Sequence, residues 1–397
     1  MWVPAPPRHA VAESHIIARV HPSVLDLPAE PWNALLAQQT HATPFMRHEY
    51  LAALHESGSA TPATGWTPRF VTLWRGDELH AACALYLKTH SYGEYVFDWA
   101  WADAHDRALA AHGHHYYPKL LGAVPFSPIP GQRLLVHPGL DAAAQVAVRQ
   151  TLLDALQAEC AAQGWSSAHL LFLSAAEAQQ AERSGWLLRH GVQFHWHNAG
   201  YASFDDFLAR LTHAKRKKIR QERRKVAEAG IDFRILRGAQ IGPDDWAFFH
   251  ACYARTYAAH RSTPYLSRAF FADHASQAGD ACVLMIAERA GQPVAASFFL
   301  QGVDALYGRY WGAVEYIPCL HFEACYYQAI AYAIDQGLAR FEGGAQGEHK
   351  LSRGLEPVRT TSAHWIADPR FAGAVADFLA RERGGVEDYL DELSERL

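Results

Sequence analysis

No apolar run in the 397-residue chain is long enough to cross a membrane. The most apolar stretches, Ala281–Ile286 and Val294–Leu300, fall far short of the roughly 20 residues a spanning helix needs. Cysteine is scarce. Its six copies (Cys83, Cys160, Cys252, Cys282, Cys319 and Cys325) form no C-x-x-C pair, which argues against a disulfide framework and for buried, reduced thiols. The first ten residues carry three prolines and an arginine but no apolar signal core. Together these absences predict a cytoplasmic protein. The 28 glycines have no triplet period, which excludes collagen. No G-x-S-x-G, no Walker loop and no G-x-G-x-x-G after a strand occurs, so the chain gives no support to hydrolase, NTPase or dinucleotide chemistry. Histidine is plentiful, yet the tightest group, His112, His114 and His115, lacks an H-x-x-x-H frame and nearby acids. We therefore expect no metal and no tightly bound cofactor.

What is there reads as globular. Half the residues are apolar and 19% are charged, with a formal charge of −5, which excludes disorder and leaves room for real cores. The strongest feature is an internal repeat. Trp32, Thr43-Pro44, Arg75, Ala81-Ala82 and Tyr92-Gly93-Glu94-Tyr95 recur in the same order as Trp246, Thr263-Pro264, Arg289, Ala295-Ala296 and Tyr307-Gly308-Arg309-Tyr310, some 214 to 220 residues later. Each copy predicts a helix (Trp32–Gln39, Trp246–His260), then a hairpin (Phe70–Trp74 with Ala81–Lys88, Val283–Glu288 with Pro293–Gln301). A further strand follows (Tyr95–Trp99, Ala305–Trp311), then a long helix (Ala142–Gln163, His321–Gln336) stopped by Gly164 or Gly337. A last strand closes each copy (Ala168–Leu173, Ala339–Glu342). This order predicts an α/β (α+β mixed-sheet) layer fold in two domains, 1–200 and 201–397, with a final helix Ala372–Arg381 and an acidic tail packed outside.

A second feature is a charge run. Between Arg210 and Lys225 stand nine cations (Arg210, Lys215, Arg216, Lys217, Lys218, Arg220, Arg223, Arg224 and Lys225) against one acid, Glu222. Helical spacing sets Leu208, Leu211, Ile219 and Val226 on one side. This predicts a basic helix over 207–228 that opens the second domain and faces phosphates.

The order of elements is similar to the GNAT (acyl-CoA N-acyltransferase) fold, and two copies in tandem resemble Fem-type aminoacyltransferases. Glu342-Gly343-Gly344 resembles the D-x-G-G that ends the Fem second domain, and His349-Lys350-Leu351-Ser352-Arg353-Gly354-Leu355 stands where an aromatic-Lys-x-G-F stretch follows, with two extra residues. The blocks Ser91–Trp101, Tyr116–Leu120, Leu320–Glu323 and Gly344–Lys350 resemble the FemAB-like family named for peptidoglycan biosynthesis or recognition, over about the whole chain. The resemblance implies N-acyl or aminoacyl transfer to a small-molecule amine or muropeptide. The donor would be acyl-CoA or aminoacyl-tRNA, and Lys350 would stabilise the reacting group. GNAT enzymes cradle the carrier pyrophosphate on a Q/R-x-x-G-x-G/A loop. Here Glu315–Leu320 has no glycine, which weakens acyl-CoA as donor.

Acyl transfer needs a base, a cation for the oxyanion and a hold on the carrier. Glu323 and then His321, among Cys319, Phe322, Tyr326 and Tyr327, are the candidate bases. Lys350 and Glu348 complete the expected catalytic set. Gln346, His349, Arg353 and Tyr327 beside them, and Asp98, Lys119 and Arg133 among the aromatics of the first copy, are the expected substrate ligands. Lys215, Arg216, Lys217, Lys218, Arg220, Arg223 and Arg224 would take tRNA or CoA phosphates. Two other readings stay open: a non-catalytic protein that recognises peptidoglycan or another anion, and a tRNA-binding protein. The sequence carries no signal of oligomeric state.

Overall fold

The computed structural model describes residues 16–271, 279–344 and 347–396. Its first half runs β1 (Ile16–His21), α1 (Ala29–Ala37), α2 (His48–Glu56), β2 (Trp66–Pro68), β3 (Phe70–Arg75), β4 (Glu78–Cys83) and β5 (Tyr86–Lys88). It continues through α3 (Trp99–Leu109), β6 (Lys119–Gly122), β7 (Leu135–Val136), α4 (Ala142–Gln163), β8 (Ser167–Leu170), α5 (Ala175–Arg183) and β9 (Leu187–His197). The second half holds α6 (Phe204–Arg210), α7 (His213–Glu228), β10 (Ile231–Arg237), α8 (Pro243–Ala259), β11 (Cys282–Arg289), β12 (Gln292–Gln301) and β13 (Ala305–Ala313). Next comes a composite helix: α9 (Leu320–Phe322), a π-helical stretch Glu323–Tyr327, and α10 (Gln328–Asp335). β14 (Arg340–Glu342), β15 (Glu356–Ile366) and α11 (Pro369–Glu395) close the chain.

The second-half hairpin and the long helices stand where the residue pattern puts them, whereas the expected strand Ala81–Lys88 is split into β4, which pairs with β3, and β5, which joins β2 and β6 in a different sheet. Ala290 and Gly291 both take positive φ, the conformation a tight two-residue hairpin turn requires. Gly164 and Gly337 end their helices in the left-handed region. Each half places an antiparallel strand pair beside a parallel one: β5–β6–β8 in the first and β12–β13–β14 in the second.

Three further expectations need correction. Tyr95–Trp99 is not a strand. Gly93 and Tyr95 both take positive φ, which breaks an extended run, and α3 starts at Trp99. The strand equivalent to β13 is therefore β6, and the Tyr-Gly-x-Tyr match pairs a loop with a strand. The basic segment is two helices rather than one over 207–228. The chain leaves the helix at Leu211, and the Thr212 hydroxyl accepts from the Lys215 amide to start α7 afresh. The final helix and the acidic tail are a single rod, α11. It buries Phe371, Val375 and Leu379 against the first half and Leu393 in the core of the second.

The two halves share one 11-stranded sheet, in the order β10-β11-β12-β13-β14-β9-β15-β8-β6-β5-β2. The strand beside β14 comes from the first half, and the strand beside β8 comes from the second. β9 and β15 pair with each other over nine residues at the centre. The largest core likewise mixes Phe45, Tyr50 and Phe126 with Trp246, Tyr253 and Tyr310.

Candidate active site at the end of β14

β13 and β14 run parallel only from Ala305/Arg340 to Tyr307/Glu342. β13 then continues to Ala313 paired with β12 on its other side, while β14 leaves through Gly343 and Gly344. The opening is floored by bare backbone. A side chain at Gly308 would press on the Glu342 carbonyl at 3.3 Å, and one at Gly343 would strike Leu355 at 2.9 Å. Strand ends of this kind are where α/β sheets bind ligands.

Lys350 lies on the helix side of this opening. Its stem passes Gly343, its Nζ donates to the Gly344 carbonyl at 2.8 Å, and its ammonium sits 6.0 Å from the Phe194 ring. The side chain is buried with no carboxylate in ion-pair contact among the described residues. Burial pulls its pKa down to about 8. Glu342 projects from the opposite face, beside its register partner His195. One carboxylate oxygen accepts from Arg340 Nε at 3.1 Å, whereas Oε2 is buried and accepts nothing from the described residues, with His195 Nε2 4.0 Å away. Burial lifts its pKa to about 7 against the opposing charge of Arg340. A buried carboxylate with a free oxygen is costly unless something uses it.

The π-helical stretch fixes the wall behind Lys350. Its extra residue per turn points Tyr326 at His349 (hydroxyl to Nε2, 3.1 Å) and Tyr327 at Glu222, to which the phenol donates. Glu222, the one acid in the basic run, also accepts from Arg353 Nη2 at 2.8 Å. Arg353 in turn holds the His349 carbonyl at 2.7 Å and stacks over Phe322 at 3.4 Å. Glu222 thereby ties α7 to the Lys350 loop.

Glu323 is buried, as expected of a candidate base, and burial raises its pKa. Its oxygens are however taken by Arg223 Nε (3.2 and 3.3 Å) and Gln328 Nε2 (2.8 Å), so it faces α7 as half of an ion pair. His321 packs among Trp311, Phe322 and Tyr326, and burial lowers its pKa to about 4, which leaves it neutral.

No curated protein matches the sequence significantly. The family model described as peptidoglycan biosynthesis/recognition, FemAB-like, matches residues 23–397. The chain belongs to the FemAB-like family. Among solved structures, the FemAB-like chain is similar to FemX at TM-score 0.55 and 10% identity, covering 88% of this chain and 98% of that one. L-PGS from Bacillus licheniformis is similar at TM-score 0.53 and 10% identity, covering 89% and 96%. A tandem GNAT protein from the clavulanic acid biosynthesis pathway matches at TM-score 0.47 and 12% identity, covering 89% and 99%. At such identities the likeness to FemX and L-PGS is one of fold.

Several sequence-predicted residues of this FemAB-like chain lie elsewhere or act otherwise. Glu348 is exposed and paired with Arg396 (2.9 Å) and Tyr389 (3.0 Å) of α11, so it fastens a helix and faces no cleft. Gln346 lies outside the described residues. Arg133 is core: its guanidinium donates to the Ile129 and Gln132 carbonyls, with no face open to a ligand. Asp98 and Lys119 are buried together with Glu94, Ser91 and Tyr116. Burial opposes ionisation of Asp98, but Lys119 prevails and holds the carboxyl well below its usual range. They anchor the 89–98 loop. On α7, His213, Arg216, Lys217, Arg220, Gln221 and Arg224 line an open depression of about 630 Å³. Lys218 instead donates to Ser352 at 3.2 Å, and Lys215 is drawn toward Glu356.

Sequence reasoning missed Glu342 and Glu222. Each had a signal: a carboxylate at a strand end before two glycines, and a lone acid inside nine cations.

Proposed function

We propose that the chain is an N-acyltransferase that moves an acyl or aminoacyl group onto an amine of a peptidoglycan precursor. The chemistry would lie in the second copy (201–397), and the first copy (1–200) would shape the acceptor side. The observation that carries this reading is the opening at the end of β14, with Lys350 on one face of the sheet and the unpartnered Glu342 oxygen on the other. The amine nitrogen attacks the donor carbonyl while its proton passes to Glu342. Lys350 Nζ stabilises the oxyanion, which collapses as the ester or thioester bond to the carrier breaks. His321, whose pKa burial lowers to about 4 and which therefore holds a proton poorly, and Glu323, being paired, are weaker bases for this step.

The exposed stripe on α7 supports aminoacyl-tRNA over acyl-CoA as donor. Its cations run along one helix face, and Cys319 occupies a left-handed position in the glycine-free turn where a pyrophosphate cradle would need free amides. The Phe322 and Glu323 amides are already bonded to the Cys319 carbonyl at 3.0 and 3.1 Å.

Transfer of labelled amino acids from bulk charged tRNA, and of labelled acetyl from acetyl-CoA, to a muropeptide precursor tests this. We expect transfer from one donor, with Glu342→Gln and Lys350→Met each slower by about 100-fold. Binding of the precursor with no transfer from either donor would leave the recognition reading standing in its place.

A further inference from the structure

The loop between β5 and α3 presents aromatic rings to solvent. Tyr92, Phe97 and Trp99 are 60%, 39% and 46% exposed. Phe97 and Trp99 are stacked, with centroids 4.5 Å apart and planes 17° from parallel, and Tyr92 extends the row at 5.8 Å. Burial cannot explain three neighbouring rings left in water, so the row must be held by something else.

What holds it is an expensive buried frame. Asp98 ties the loop to Lys119, Ser91 and Tyr116. Lys88 Nζ donates to the Tyr92 carbonyl at 3.3 Å, and Arg189 Nη1 donates to the Phe97 carbonyl at 2.8 Å. Gly93 takes φ +82°, and a side chain there would strike Phe126 at 2.6 Å. The rings are thus displayed on a rigid support.

Phe97 is also one wall of a cleft of about 300 Å³, whose other walls include Tyr95, Arg189, Gln193, Thr360 and Glu382. Arg189 and Glu382, the cleft's only residues of fixed charge, form a two-pronged ion pair at 2.9 and 2.8 Å. The cleft therefore offers planar hydrogen-bonding groups and no spare charge. We propose that this surface is a glycan-binding site: a pyranose ring stacks its C–H face on the outer face of Phe97, which Trp99 backs, while hydroxyl or acetamido groups of the next sugar bond in the cleft. A nucleotide would stack as well, but the one cation lining the cleft among the described residues, Arg189, is already paired with Glu382. The cleft ends at Gln193, whose Oε1 is 3.1 Å from His195 Nε2, on the Glu342 side of the sheet. Assigning the bound sugar to the acceptor of acyl transfer rests on the proposed transferase function, whereas its binding does not.

Calorimetric titration of the full chain with chitotetraose, with a GlcNAc–MurNAc disaccharide and with uridine monophosphate, all without any donor, tests the site. We expect at least one glycan to bind, with little dependence on salt. Phe97→Ala and Trp99→Ala should each weaken it by about tenfold. Both positions are exposed, so melting temperatures should match the parent protein. No glycan binding up to about 10 mM overturns the proposal. So does unchanged affinity in both variants, or preference for uridine monophosphate.

Discussion

At the residue scale the site is held in place at a cost. Lys350 is buried, its Nζ bonded among the described residues to the Gly344 carbonyl alone, and its pKa falls from 10.5 to about 8. A lysine so lowered opposes folding most below pH 8, and the penalty fades as pH rises toward 10.5. The shift corresponds to up to about 3 kcal/mol at pH 7. Lys350→Met should therefore raise the melting temperature at pH 7, with the gain shrinking above pH 8, while transfer is lost. A variant less stable than the parent at pH 7 would show that Lys350 serves the fold instead. Lys350 and Arg353 were legible in the sequence because a motif marks their loop. Glu342 and Glu222 left only a faint mark there, a strand-end carboxylate and a lone acid among cations, because burial and unpaired oxygens appear only when distant elements meet.

At the element scale, α7 combines two jobs that the charge run alone could not separate. One face inserts Ile219, Glu222 and Val226 into the protein; the other leaves Arg216, Lys217, Arg220 and Arg224 along an open depression. Reversing Lys217 and Arg220 to Glu should weaken binding of charged tRNA. It should also flatten the salt dependence, with the slope falling by about one for each phosphate no longer held. Thermal stability should barely change, since exposed ion pairs contribute little. An unaltered salt slope would rule this helix out as the carrier's site. The break at Leu211-Thr212 escaped the sequence reading because a long cationic run masks the capping threonine.

At the scale of the whole molecule, helices and hairpins followed from local spacing, but the exchange of β9 and β15 between the halves did not. It is a pairing across more than 140 residues, with no local sign. The exchange brings His169 of β8 against His364 of β15, Nδ1 to Nδ1 at 2.6 Å, fully buried. Burial lowers His169 to about 3 and His364 well below 6.5. The unfolded chain then binds these protons first, so stability holds above about pH 6.5 and falls as the solution is acidified toward the folded values. His364→Asn should flatten that fall by up to about 1.4 kcal/mol per pH unit, read from urea unfolding between pH 6 and 4. An unchanged slope would mean that the pair takes no part in acid unfolding. One shared sheet brings the Glu342 carboxylate and the Lys350 ammonium to its two faces at a single opening, and the pH profile of the proposed transfer probes both groups at once. We expect a bell, rising near pH 7 as Glu342 ionises and falling near pH 8 as Lys350 loses its proton, with the rising limb gone in Glu342→Gln. A profile flat across that range, or a rising limb that survives in Glu342→Gln, would refute this pairing of base and cation.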